Sequence, residues 1–339
     1  MLVGTASLTG CSPTQQSQAP FTLNTVAGYV VPWDSRSIVA VGRDELTEVS
    51  PVWYQPTEGG QIVFASRQAQ RSQSSVETQT SSHGSAIVPT ISNFRNGRWD
   101  GELIHHIITD PQTRAAHIAA IMDVIQSRGW AGIDLDYESL QASDREAYSA
   151  FIRELAITLH RAQKRLTLTV HAKTAEPGDW SGAHAQDWRA LGKSADEVRV
   201  MAYDYSTENS SPGPIAPLTW VRSVLKLAVS EVPREKIVLG VATYGYDWPG
   251  GQEGHDVQWA DAEAIARDRT AAVMWDPTSQ SPWFSYADDQ GHPHTVWYEN
   301  ARSLHAKLDL ARQYRVAGVF IWRLGGEDPA VWEAIRQAT

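Results

Sequence analysis

From residue 24 onward, short apolar runs rich in β-branched and aromatic residues alternate with helical stretches, a pattern that calls for parallel strands joined by helical crossovers. The runs are Val26 to Val31, Val49 to Tyr54, Ala86 to Ile91, Gly132 to Tyr137, Leu166 to His171, Val198 to Tyr203, Ile237 to Thr243 and Ala317 to Trp322. Eight parallel strands with helices between them close into an α/β fold of the (β/α)8 or TIM-barrel type. The helices carry recognisable ends. Asp110-Pro111 supplies a cap and a first-turn proline for a helix running to about Gln126, and Ser143-Asp144-Arg145-Glu146 fits a capping box opening a helix to about Arg161. Thr219 to Ser230 and Asn300 to Arg315 also read as helices, while the Gln/Ser-rich residues 67 to 82 read as a weak helix or an exposed loop.

About fifty residues separate the seventh strand from the helix near 300, far more than a βα connection needs. Ala260 to Arg267 is expected to be helical, and Ala271 to Trp275, Trp283 to Ala287 and Thr295 to Tyr298 to be short strands, with Asp288-Asp289-Gln290-Gly291 as a turn. A small α+β insertion over about residues 249–298 is therefore expected at the C-terminal rim, where βα loops line active sites. The barrel is assigned residues 24–339.

The segment Gly129-Trp130-Ala131-Gly132-Ile133-Asp134-Leu135-Asp136-Tyr137-Glu138 concentrates the chemistry. Side chains alternate along a strand, so Asp134, Asp136 and Glu138 share one face at steps of about 6.6 Å, opposite Ile133, Leu135 and Tyr137. The apolar face meets the helices, which leaves three carboxylates inside the barrel with Glu138 at its mouth. Such crowding keeps one carboxyl protonated near neutral pH, the property a general acid needs. An acidic face on a solvated edge strand and a grip on a hard cation are the other settings for three carboxylates. A closed barrel has no edge strand, and nothing nearby supplies further metal ligands. His105-His106 and His292-Pro293-His294 lack metal-ligand spacing, so neither a metal nor a cofactor is expected.

The segment ending in Glu138 resembles the D-x-D-x-E signature of family 18 glycoside hydrolases, the chitinase family. Met201-Ala202-Tyr203-Asp204 resembles that family's M-x-Y-D motif, and Gly318-Val319-Phe320-Ile321-Trp322 its last strand. Gly28-Tyr29-Val30-Val31-Pro32-Trp33, Tyr244-Gly245-Tyr246-Asp247-Trp248 and Trp322-Arg323-Leu324-Gly325-Gly326-Glu327-Asp328 are similar to the spore-germination, cell-wall branch. The resemblance implies that Glu138 protonates the glycosidic oxygen and later activates water, while the substrate's own 2-acetamido oxygen attacks the anomeric carbon with retention. It further implies that Asp136 holds the acetamido N–H, that Asp134 shares a proton or hydrogen bond with Asp136, and that Tyr203 orients the acetamido oxygen. Asp204 and Met201 are expected at the substrate, with Trp322 as the floor beneath the scissile sugar. Trp33, Asn93, Tyr244 and Trp248 are candidate ligand contacts at strand ends, with rim packing as the alternative. The family pattern has Asp where Ala131 stands, and strand parity puts Ala131 on the face away from Glu138.

Composition sets the partner class. A formal charge of −10 disfavours a nucleic-acid partner but not a neutral polymer, and fourteen Trp with eleven Tyr suit pyranose rings as well as core packing. The implied substrate is an N-acetylglucosamine-containing polysaccharide, with peptidoglycan ahead of chitin-type oligomers, and a monomer is expected. A non-hydrolytic carbohydrate-binding lipoprotein on the same barrel is the alternative class. The single cysteine, Cys11, excludes an internal disulfide. Leu8-Thr9-Gly10-Cys11 resembles a bacterial lipobox with lipidation at Cys11, followed by a polar tether from Ser12 to Gln18. Residues 1–23 are thus expected to be a lipoprotein signal remnant and tether, giving an extracytoplasmic protein held to a membrane only through its anchor.

Overall fold

A computed structural model describes residues 21–339; Cys11 and the tether expected after it lie outside the described residues. Eight parallel strands form the barrel: β1 (Thr25–Val30), β2 (Glu48–Pro56), β3 (Thr90–Ser92), β4 (Gly132–Asp136), β5 (Arg165–His171), β6 (Glu197–Met201), β7 (Ile237–Ala242) and β8 (Gly318–Trp322). Each pairs with the next, and β8 returns to β1 with Thr25 opposite Gly318, so the sheet closes. The third run splits, because Ala86–Ile87 and Thr90–Ser92 each pair with β2 while Val88 and Pro89 interrupt them. Proline has no N–H to give to a ladder, which explains the break.

Outward residues of the strands, such as Ile133 and Leu135, are fully buried with Ile121, Ile125 and Ile152 of the surrounding helices in one apolar cluster. Each such side chain contributes roughly 1.5–3 kcal/mol of burial free energy. The helix Pro111–Arg128 starts as expected, with Asp110 accepting from the Thr113 N–H at 2.7 Å. The next box is displaced: a 3-10 turn, Ala142–Asp144, precedes the helix Arg145–Arg161, and it is Asp144 that accepts from the Gln141 N–H.

Residues Arg67–His83 form a full helix capped by Ser66. Its buried stripe, Ala69, Ser72, Gln73, Val76 and Thr80, has helical spacing but is largely polar. Ser72 accepts from the Trp53 indole at 3.0 Å and Gln73 donates to the Tyr54 hydroxyl at 3.3 Å, so these two polar members are satisfied without being hydrophobic.

The insertion is a five-stranded antiparallel sheet, ordered His255–Gln258, Tyr244–Pro249, Pro293–Tyr298, Ser281–Ala287, Met274–Asp276, with the helix Trp259–Asp268 against it. It starts at Tyr244, five residues before the expected boundary. Val257, Phe284, Val296 and Tyr298 form its own small core with Ala262 and Ala266.

One close approach ties a helix to the mouth of the barrel. Gly101 opens the helix Gly101–Thr109, and a Cβ there would overlap the carbonyl oxygen of Ser139, the residue after Glu138. Gly101→Ala is expected to cost about 1–3 kcal/mol through this overlap, read as a lower denaturation midpoint at unchanged m-value.

Candidate active site

Alternation along β4 sends Asp134, Asp136 and Glu138 into the barrel at three depths, while Tyr137 points outward and its hydroxyl meets His117 Nε2 at 2.7 Å. Asp134 is deepest and fully buried. Its carboxylate accepts from the Tyr29 hydroxyl of β1 at 2.9 Å, the Thr90 hydroxyl of β3 at 2.9 Å and the Thr169 hydroxyl of β5 at 3.0 Å. Burial pushes its pKa up, and Arg199 with these hydroxyls pulls it partly back. The expected hydrogen bond between Asp134 and Asp136 is therefore not formed, because hydroxyls from three other strands already occupy both Asp134 oxygens.

Asp136 is the floor of the cleft, buried with no hydrogen-bond partner at Oδ1. Burial, then the charges of Glu138 and Asp134, hold its carboxyl well above the usual carboxylate range. Glu138 stands at the mouth. Its backbone is gripped by Asn93, whose Oδ1 accepts from the Glu138 N–H at 2.9 Å and whose Nδ2 donates to the Glu138 carbonyl at 2.8 Å. Burial and then the nearby charge of Asp204 push the Glu138 carboxyl up to about 8. At neutral pH it carries a proton that it can deliver, as a general acid must.

The remaining walls come from other strand ends. Tyr203 follows β6, its ring edge-on to Phe320 at 6.0 Å, and Met201 ends that strand. Asp204 takes a left-handed backbone with φ of 56°, which turns its carboxylate onto the hydroxyls of Tyr244 and, at 3.3 Å, Tyr246. Trp322 ends β8 with its ring edge-on to Tyr29 at 5.5 Å. Asp136, Glu138, Met201, Tyr203, Asp204 and Trp322 all line one cavity of about 590 Å³. A second cavity of about 810 Å³, which includes Trp33, Phe94 and Arg95, shares Trp99, Asp136 and Trp322 with the first. The two make one groove whose halves meet above Asp136.

Three candidate contacts have other places. Asn93 is fully buried and serves as the clamp on Glu138. Tyr244 opens the first strand of the inserted sheet, so its ring lies beneath Asp204 and outside the cavity lining. Trp248, on the same strand, is buried with its indole N–H donating to the Thr207 carbonyl at 3.3 Å. Trp33, by contrast, is 61% exposed on the second cavity. The sequence reading missed His171, Trp180, Trp99, Tyr205 and Trp220, all of which line the first cavity. Parity along β5 puts His171 on the inward face with Thr167 and Thr169. Trp180 and Tyr205 stand on loops, Trp99 on the two-residue strand Arg98–Trp99 and Trp220 near the start of the helix Leu218–Glu231, and nothing in their spacing points them at the cleft.

Comparison with known proteins agrees with this geometry. Residues 25–327 match the glycosyl hydrolases family 18. The cortical fragment-lytic enzyme of Bacillus subtilis is 33% identical over 260 residues, which cover 75% of this chain and 60% of that protein. The chain thus spans about three fifths of that relative's length. The spore cortex-lytic enzyme SleL of Bacillus cereus superposes with a TM-score of 0.86 at 27% identity, covering 94% of this chain and 75% of that one. The chitinase of Chromobacterium violaceum superposes with a TM-score of 0.87 at 29% identity, covering 93% and 98%. A closed barrel with three acidic side chains stepped up one strand, together with a match running nearly its whole length, shows that the chain belongs to glycosyl hydrolases family 18.

Proposed function

We propose that this cleft hydrolyses β-1,4 bonds beside N-acetylglucosamine by substrate-assisted, retaining catalysis, with peptidoglycan as its polymer. The observation that carries the reading is the unpartnered, buried Oδ1 of Asp136, which lines one cavity with the protonated Glu138 and Tyr203. A buried carboxyl oxygen without a donor is costly, and the N–H of a 2-acetamido group supplies one. With that N–H on Asp136 and the amide carbonyl turned by the Tyr203 hydroxyl, the acetamido oxygen sits beneath the anomeric carbon. It attacks as Glu138 protonates the leaving oxygen, forming an oxazolinium ion whose N–H stays held on the Asp136 oxygen. Glu138, now a carboxylate, takes a proton from water as that water opens the ion from the same face. Alignment of an internal nucleophile removes several kcal/mol of barrier by positioning alone. Among the other cleft carboxylates, Asp204 is tied to two tyrosine hydroxyls and Asp179 is exposed on an outer loop, so neither competes for the anomeric carbon.

The peptidoglycan assignment is supported by the names of the cortical fragment-lytic and spore cortex-lytic relatives. Placement outside the cytoplasm through a lipid on Cys11 rests on the lipobox-like run, and no helix among the described residues is long and apolar enough to cross a membrane. Chito-oligosaccharide hydrolysis is the second reading, favoured by the chain's spanning 98% of the Chromobacterium violaceum chitinase. Digestion of purified peptidoglycan is expected to release fragments whose new reducing ends are N-acetylglucosamine, read by borohydride reduction and sugar analysis. Release from chito-oligosaccharides with none from peptidoglycan would favour the second reading.

A further inference from the structure

We propose that His171 is a positioning residue for the acid, its neutral imidazole donating a hydrogen bond from Nε2 to the Glu138 carboxylate that is left after proton transfer. The inference rests on the reading of Glu138 as the proton donor. His171 ends β5 on the inward face, and its Nε2 lies 3.7 Å from Glu138 Oε2. It is buried, and Nε2 has no hydrogen-bond partner. The separation is too long for a hydrogen bond in the resting protein, where Glu138 is protonated and needs no donor. Catalytic hydrogen bonds of this kind tighten when charge develops.

The ring is held as a fixed tool. Its backbone N–H donates to Gln186 Oε1 at 2.7 Å, and Trp180 packs edge-on against it with centroids 4.4 Å apart. Gly182 makes that packing possible, since a Cβ there would overlap the Trp180 ring. Trp180 is itself 45% exposed and lines the same cavity, so a sugar on the groove covers the ring that holds His171. The groups around Glu138 leave few other donors. Asp136 lies below it on β4, Tyr203 and Asp204 come from β6, and Asp179 belongs to the outer loop. Lys173, two residues beyond His171, is committed to the Gln186 carbonyl at 2.6 Å, Glu176 at 2.8 Å and the Ala183 carbonyl at 3.3 Å. Burial, and then the charge of Lys173, hold His171 down at about 3, so it acts as a neutral N–H donor and not as a cation.

The role predicts a signature that lost packing does not give. Phe at this position keeps the ring against Trp180 but removes the donor, whereas Gln keeps a neutral N–H. In His171→Phe the Glu138 carboxylate loses stabilisation, so its pKa rises by about one pH unit, a tenfold change in acid dissociation. Carbon-13 NMR titration of labelled glutamate in the intact protein reads this without turnover, and the basic limb of kcat/KM is expected to move up by the same amount. His171→Gln is expected to restore the wild-type value. A Glu138 titration unmoved in a folded His171→Phe, or His171→Gln indistinguishable from His171→Phe, would overturn the proposal. An inactive wild-type protein with the shifted titration would instead contradict the hydrolytic reading and leave the contact standing.

Discussion

Glu138→Gln is expected to lower kcat by about 10³–10⁴-fold while leaving the affinity for an N-acetylglucosamine oligomer within a few-fold of wild type. The amide keeps the volume of the side chain and its place at the mouth of β4, and the Asn93 clamp grips the backbone, which the substitution does not touch. What it removes is the proton. In the wild-type protein burial and Asp204 hold the carboxyl protonated up to about 8, so kcat/KM is expected to fall as pH rises through that value. The basic limb should vanish from whatever activity the amide variant retains. Steady-state rates across pH 5–10, paired with calorimetric binding, separate loss of chemistry from loss of binding. Turnover within tenfold of wild type would remove Glu138 from the mechanism.

Arg199→Met is expected to be the most destabilising single change below the cleft, by about 3–5 kcal/mol, with a Tm lower by roughly 5–15 °C. Arg199 is fully buried inside the barrel, where it donates to Ser50 at 2.6 Å, lies 3.3 Å from Glu197 and 3.7 Å from Glu48, and stacks on Tyr29. Arg165 also reaches both glutamates, at 2.6 Å to Glu48 and 3.4 Å to Glu197. Methionine fills comparable space but leaves two buried glutamates facing one arginine. Burial raises Glu48, yet Arg199 and Arg165 outweigh it and hold the carboxyl below its usual range. Wild type therefore keeps that stability above the unfolded pKa and loses it as pH falls. Without Arg199 the Glu48 pKa rises on folding, so the variant is penalised more as pH rises. Denaturant melts should show a larger gap at pH 8 than at pH 5, and a gap below about 1 kcal/mol at pH 8 would refute this reading of the barrel interior.

What the sequence disclosed follows from how each feature is encoded. The barrel strands were legible because each packs an apolar face on helices, and the position of every acidic side chain on β4 followed from parity alone. The helix Arg67–His83 was ambiguous because its buried stripe uses Ser72 and Gln73, which satisfy Trp53 and Tyr54 through hydrogen bonds that hydrophobicity cannot register. The sheet of the insertion began early because Tyr244–Pro249 follows β7 after only Thr243, so two strands read as one with a tail. That contiguity also put Tyr244 and Trp248 among the candidate ligand contacts, whereas Tyr244 hydrogen-bonds Asp204 and Trp248 the Thr207 carbonyl. The bond from Asp134 to Asp136 came from the family resemblance, and neither that nor the spacing along one strand announces the hydroxyls arriving from β1, β3 and β5. Trp180 stands on a loop whose direction is set by tertiary contacts such as Lys173 on the Gln186 carbonyl, and Trp99 on a two-residue strand paired with Phe94–Arg95, which no local pattern announces.

The central claim is that the nucleophile belongs to the sugar, and a matched pair of aryl β-glycosides differing only at carbon 2 tests it most directly. Initial rates on the 2-acetamido glycoside and on its 2-hydroxyl counterpart would be compared at pH 6, with equal leaving groups and saturating enzyme. The acetamido compound is expected to be cleaved at least about 10³-fold faster, since its counterpart brings neither the attacking oxygen nor the N–H for Asp136. Comparable rates on the two would mean that a side chain of the protein attacks the anomeric carbon, which would contradict the roles of Asp136 as amide holder and Tyr203 as its orienting partner.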